Sequence, residues 1–123
     1  MLKRERTLYH MACCYEKLNK PDMVKKCFDE LLSYENAFGW ERGWQFRAWQ
    51  GRYFQALALK KMGQTVIARA MFDAMEVIGK QNKALPIAAR KMLLQFADRG
   101  RHASEENIDP MLVKVEIAAT AEL

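Results

Sequence analysis

The 123-residue sequence contains few residues that interrupt regular secondary structure, with only 6 glycines and 3 prolines. Leu, Ala, Met, Lys, Glu, Arg and Gln recur throughout, and their intrinsic propensities favour helix. Few segments qualify as strands. Half of the residues are hydrophobic, which is enough for the continuous core of one domain and excludes a disordered tail.

Cysteine is also scarce, and its number is odd. Two of the three cysteines, Cys13 and Cys14, are adjacent, and the third is Cys27. This pattern argues against a disulfide framework and suits a reducing compartment, so we predict a cytoplasmic protein.

Long apolar runs are missing as well. The first ten residues carry positive charge but no apolar segment follows them, and no stretch of about 18 apolar residues occurs elsewhere. We therefore predict neither a targeting segment nor a membrane span. Residues Ala119–Leu123 read as the middle of a helix, so the chain is either one helical-repeat domain over residues 1–123 or a fragment of a longer protein.

No segment of the sequence concentrates charge of one sign. A formal net charge of +5 arises from 20 basic and 15 acidic residues that are interspersed along the chain, without any block of five like charges. A nucleic-acid-binding protein is expected to gather Lys and Arg on one face, so this pattern argues against nucleic acid as the partner.

Motifs that carry catalysis are not found. There are only two histidines, His10 and His102, and neither a Gly-rich phosphate loop nor an HExxH motif is present. The metal-binding residue types His10, Cys13, Cys14 and Cys27 lack paired CxxC or HxxxH spacing. We therefore predict a protein that is not an enzyme and uses no metal or cofactor.

What the sequence does contain is helical periodicity, with apolar residues recurring at intervals of three and four. The predicted helices cover about Thr7–Leu18, Pro21–Tyr34, a third ending at Gly63, Gln64–Ile78, Pro86–Arg99 and a last one beginning at Asp109. Asn19 and Gly63 tolerate the left-handed conformation at a helix end, and Gly79 is a stop signal. Residues 36–47 form a predicted connection, and His102–Asn107 a polar loop.

The inward positions of these helices predict the core. It comprises Leu8, Met11, Ala12, Tyr15, Leu18, Phe28, Leu31, Ala56, Leu59, Met62, Ala68, Phe72, Met75, Leu93 and Phe96.

An internal repeat emerges when Asn19 is aligned with Gly63. The alignment places Ala12 over Ala56, Leu18 over Met62, and Phe28 over Phe72. It divides the chain into a first repeat at about 5–38, an insertion at about 36–47, a second repeat at about 47–79 and a partial third helix pair at about 85–123.

These positions resemble the tetratricopeptide repeat (TPR), whose helix-turn-helix unit carries small and aromatic residues around a Gly or Asn turn. The matching residues are Ala12, Tyr15, Asn19, Val24 and Phe28 in the first unit, and Ala56, Leu59, Gly63, Ala68 and Phe72 in the second. The resemblance implies an all-α fold in which antiparallel helix pairs stack as a short α-solenoid. The offset of 44 residues exceeds the family's period of about 34, which predicts the insertion. The stretch also resembles repeat regions of long bacterial proteins that contain carbohydrate-type domains.

Proteins of this family act as scaffolds, so the resemblance implies that a protein or peptide binds in a concave groove. The predicted groove residues are Tyr9, His10, Cys13, Lys17, Tyr53, Phe54, Leu57, Lys60 and Lys61. Aromatic rings would supply contact area, and the lysines would pair with acidic side chains or a terminal carboxylate. The alternative is that the groove is partly filled and these residues only pack, since Tyr or Phe at helical spacing is usually core. Association into a homo-oligomer, which would cover exposed repeat ends, is left open.

A second predicted surface lies in residues 40–53, which hold all three tryptophans. Its members are Trp40, Arg42, Trp44, Arg47 and Trp49. Because Trp and Arg dominate binding hot spots and rings stack on sugars, the alternative function is a carbohydrate-associated or nucleic-acid-binding helical module. Because Trp is highly buried on average, the favoured interpretation is that these rings fold over the end of the first repeat as core.

Overall fold

A computed structural model describes residues 5–34 and 46–102, except for the side chains of Phe46 and Arg47. These residues form five α-helices: α1 (Glu5–Lys17), α2 (Pro21–Ser33), α3 (Phe46–Lys61), α4 (Thr65–Gln81) and α5 (Ile87–His102). Within the described ranges there is no β-strand, so the all-α prediction is confirmed. The predicted last helix and most of both predicted loops lie outside the described residues.

The helices belong to two compact units. In the two-helix unit, α1 packs against α2. In the three-helix unit, α4 packs against both α3 and α5, and α3 also contacts α5.

The two predicted repeats, α1 with α2 and α3 with α4, have the same type of turn between their helices. Asn19 after α1 and Gly63 after α3 adopt left-handed backbone conformations, with φ of 56° and 86°. The next amide in each case, Lys20 N or Gln64 N, donates to the carbonyl five residues earlier, at 3.0 and 2.9 Å. These are Schellman caps, which satisfy carbonyls at the helix end and reverse the chain. The predicted equivalence of the two turns is therefore present in the backbone.

Burial confirms most of the predicted core residues, but the two that follow helix ends are exposed. Leu18 is 57% exposed and Met62 is 45% exposed. Each follows the last residue of its helix directly, so its side chain no longer follows the buried stripe of the helix. Tyr15 and Leu59 are half-buried, and the other predicted core residues are buried.

Gly79 does not stop α4, contrary to the prediction, because the helix continues to Gln81. The glycine is buried, and a Cβ there would lie 3.0 Å from the Arg90 carbonyl oxygen and from Leu94 Cγ. Its lack of a side chain therefore lets α5 approach closely. Arg90 of α5 then donates to the carbonyls of Gly79 and Lys80 at 3.0 and 2.9 Å, capping the end of α4.

Phe72 is the centre of the three-helix unit. Its ring, 1% exposed, meets Tyr53 of α3 edge-on with centroids 6.3 Å apart. On the other side the ring lies directly against the backbone of Gly100 in α5, so a Cβ on Gly100 would overlap it. Tyr53 in turn stacks on Phe96 at 4.5 Å. One aromatic cluster thus joins all three helices.

The contact between Phe72 and Gly100 can be tested by a double-mutant cycle. Gly100→Ala should lower the free energy of unfolding by about 1–3 kcal/mol, because the added methyl group overpacks the core. In a Phe72→Leu background the extra cost should fall by about 1 kcal/mol or more. Urea denaturation of the four chains measures both values.

Gly63→Ala is the matched control for this cycle. A Cβ at Gly63 meets no atom within 4 Å, so its cost comes from the positive φ alone and should be equal in both backgrounds. Strictly additive effects of Gly100→Ala and Phe72→Leu would contradict the contact.

Candidate binding cleft

The predicted groove residues are mostly buried in their own units. In α1, Tyr9, His10 and Cys13 are buried, and Lys17 is exposed. In α3, Tyr53, Phe54 and Leu57 are buried, while Lys60 and Lys61 are half-exposed. The surface that these positions offer a partner is therefore mainly that of the lysines.

Tyr53 illustrates why an aromatic residue predicted for a groove is core instead. Its ring is stacked on Phe96 with an interplanar angle of 14° and contacts Phe54 edge-on at 5.1 Å. Burial raises the pKa of its hydroxyl, and the nearby positive charge of Arg99 opposes that rise. Tyr53 thus stabilises the fold and is withdrawn from a partner's reach.

The predicted Trp and Arg surface can be located only in part. Trp49, at 6% exposed, is buried in α3. Trp40, Arg42 and Trp44 lie outside the described residues, as does the side chain of Arg47. Trp49 therefore offers no open ring on which a sugar or a base could stack.

The three-helix unit contains a cleft of about 370 Å³ between the end of α3, the first half of α4 and the end of α5. Such a volume is sufficient for one or two side chains of a ligand. The lining residues are Lys60, Thr65, Ala68, Arg69, Phe72, Gly100, Arg101 and His102. Half of them are basic and none is acidic, whereas Ala68, Phe72 and Gly100 form an apolar floor. We refer to it as the basic cleft.

Lys60 spans from α3 to the end of α5. Its ammonium donates to the carbonyls of Gly100 and Arg101 at 3.0 and 3.1 Å. The last carbonyls of a helix have no partner within the helix and carry partial negative charge, so a lysine at this position satisfies and stabilises them. This wall of the cleft is thereby fixed.

Arg101 is held from the other side by α4. Its guanidinium donates to Asp73 through Nη2 at 2.6 Å and through Nε at 3.2 Å, and Nη1 donates to Glu76. The hydrogen bond from Arg101, and to a smaller extent the one from Lys80, holds the pKa of Glu76 below its ordinary value. Two carboxylates thus balance the charge of Arg101.

Arg69 and His102 complete the basic lining. Arg69 is exposed on α4, and among the described residues its guanidinium makes no ion pair or hydrogen bond. The His102 ring lies with Nδ1 2.9 Å from the Asp98 carbonyl and 3.4 Å from the Asp98 carboxylate. Of these two residues, Arg69 has the charge more available to an incoming anion.

Among the lining residues, Lys60 is the one that the sequence predicted to contact a partner, whereas Ala68 and Phe72 were predicted as core. The others lie on α4 and α5, which meet through the contact between Phe72 and Gly100, 28 residues apart in the chain, and no local sequence spacing predicts such a contact. The available signal was a group of three basic residues, Arg99, Arg101 and His102, at the end of α5.

Two other classes of site were sought in the described ranges. They contain no group of three or more His, Cys, Asp or Glu side chains that could hold a metal ion. No helix there has the length and apolar character needed to cross a bilayer. Comparisons with protein-family models, curated proteins and solved structures gave no significant match to this chain.

The ion pairs of Arg101 predict a specific pH dependence. Because the folded pKa of Glu76 lies below its ordinary value of 4.5, the stabilisation is fully present above that pH. It is lost as the pH falls through the folded value. The melting temperature of the wild-type chain should therefore exceed that of Arg101→Met at about pH 6, and the difference should shrink towards about pH 2.5.

Lys91→Met provides the control, since it removes an exposed positive charge from the same helix without touching Asp73 or Glu76. Its melting temperature should follow the wild-type profile. A constant difference between wild type and Arg101→Met across this pH range would show that Arg101 stabilises by packing alone.

Proposed function

We propose that this chain is a non-enzymatic scaffold of tetratricopeptide type, and that its three-helix unit binds an acidic segment of a partner protein in the basic cleft. The partner places a carboxylate beside Arg69. The occupant is a peptide segment because the cleft has room for one or two residues and is lined by basic side chains that can pair with acidic ones.

The lining chemistry supports a ligand with negative charge. Lys60, Arg69, Arg101 and His102 surround the cleft, and no acidic side chain lines it. Charge-assisted hydrogen bonds from a guanidinium to a carboxylate are short and can be bidentate, which gives both affinity and orientation.

The observation that carries the proposal is the state of Arg69. Lys60 holds the end of α5, and Arg101 is balanced by Asp73 and Glu76, so the charges of both already have partners. Arg69 has neither an ion pair nor a hydrogen bond among the described residues. A carboxylate arriving beside it gains a charged hydrogen bond in exchange for bonds to water, without breaking one within the protein.

This proposal keeps one element of the groove predicted from sequence and relocates the rest. Lys60 belongs to both sets, but it acts as a wall that fixes the cleft. Tyr53, Phe54 and Leu57 are buried beneath the surface and support the helices. Recognition by a few basic side chains replaces recognition by a row of aromatic rings.

The proposal is tested by comparing three forms of the full chain as bait, after nuclease treatment of the lysate. Wild type and Lys91→Glu should retain the same proteins, and Arg69→Glu should lose them. Lys91→Glu makes the same change of net charge at an exposed position of α5 outside the cleft. For a purified partner segment, Arg69→Glu should raise Kd by about tenfold or more.

Peptide arrays of the retained proteins should locate binding in segments rich in Asp or Glu. Equal circular dichroism of the three chains is required before the comparison. Retention of the same proteins by Arg69→Glu, or binding concentrated in basic segments, would refute the assignment to this cleft.

A further inference from the structure

Helix α4 carries a second apolar surface on the side opposite its core. Its buried positions are Ala68, Phe72, Met75 and Gly79. On the other side, Val66 is 83% exposed, Ile67 52% and Val77 49%. A helix of a globular protein normally presents charged residues there, so exposure of this many apolar groups points to an interface.

This surface follows one line along the helix. Ile67, Ala70, Ala74 and Val77 are spaced by three, four and three residues, which places them on one face, and all four are exposed. Half-buried Met71 and Ile78 border the face on one side. We call these four residues the outer face of α4.

The order of side chains along the outer face is self-complementary. Two large residues, Ile67 and Val77, flank two small ones, Ala70 and Ala74. When two copies of the helix run antiparallel across a two-fold axis, Ile67 lies opposite Val77 and Ala70 lies opposite Ala74. Such a match between one patch and itself is what an isologous interface requires, and the alanines allow the helices to approach closely.

The charges beside the outer face are compatible with this pairing. The charged residue nearest to the two-fold axis is Asp73, which would approach Asp73 of the second copy. In each copy, Arg101 already forms an ion pair with Asp73 at 2.6 Å. The positive charge of Arg101 therefore reduces the repulsion between the two Asp73 carboxylates. The outer face itself contains no charge.

We propose that the outer face of α4 binds the same face of a second copy of this chain, antiparallel, to form a dimer. The contact covers a helix segment of about 15 Å, shorter than a standard interface of about 1,600 Å² would need, so the dimer is weak. The proposal is independent of the basic cleft, because none of the four residues lines it.

The test is sedimentation equilibrium of the full chain under reducing conditions, at concentrations from about 10 µM to about 1 mM. The wild-type chain should show a monomer–dimer equilibrium within this range. Ile67→Lys and Val77→Glu should each raise the dimer Kd by about tenfold or more, because each buries a charge against an apolar residue. Ile87→Glu changes an exposed apolar residue outside the face and should leave Kd unchanged.

Mixing the two single variants distinguishes antiparallel self-pairing from other contacts. In the mixed dimer the introduced lysine lies opposite the introduced glutamate, and the other pair remains Val77 with Ile67. A one-to-one mixture should therefore form heterodimers that neither variant forms alone, detectable by native mass spectrometry.

Two results would overturn the proposal. The first is a wild-type chain that stays monomeric over the whole concentration range. The second is a dimer that neither single variant weakens, or that the mixture does not restore. Since Arg69 is unchanged throughout, peptide binding in the cleft is judged separately from these results.

Discussion

The three-helix unit depends on the contact between the Phe72 ring and the bare backbone of Gly100. Interiors are packed tightly, so the absence of a Cβ at one position sets how near two helices can come. Here it allows α5 to lie against α4 while Phe72 also reaches Tyr53 on α3. The same ring is the floor of the basic cleft, so core packing and cleft shape have one origin.

The parts of the fold that could be predicted from sequence are those governed by local periodicity and local backbone preference. Asn19 and Gly63 were recognisable as left-handed turn residues, and Phe28 and Phe72 as inward positions, because these properties belong to a single helix and its end. Gly79 was misread for the same reason. A glycine that ends a helix and one that admits a neighbouring helix have the same sequence signature, and only the position of Arg90 and Leu94 separates them.

Local periodicity and local backbone preference could not predict the candidate cleft. Its lining combines Lys60 with Arg69 and Arg101, which become neighbours only through tertiary packing. The aromatic residues expected to contact a partner, including Tyr9 and Tyr53, are instead core, as aromatic rings at helical spacing commonly are. The outer face of α4 differs, since its apolar line from Ile67 to Val77 is legible in the sequence once the opposite side is known to be buried.

The helix ends of the three-helix unit are satisfied crosswise. Arg90 of α5 caps the last carbonyls of α4, and Lys60 of α3 caps those of α5. Neither helix can complete its final turn with its own residues alone, so the last turns gain their stability only when the neighbours are in place. Separating α5 from α3 and α4 would therefore remove two helix caps at once. Because the helices stabilise one another's ends in this way, the three-helix unit is expected to fold and unfold in one step.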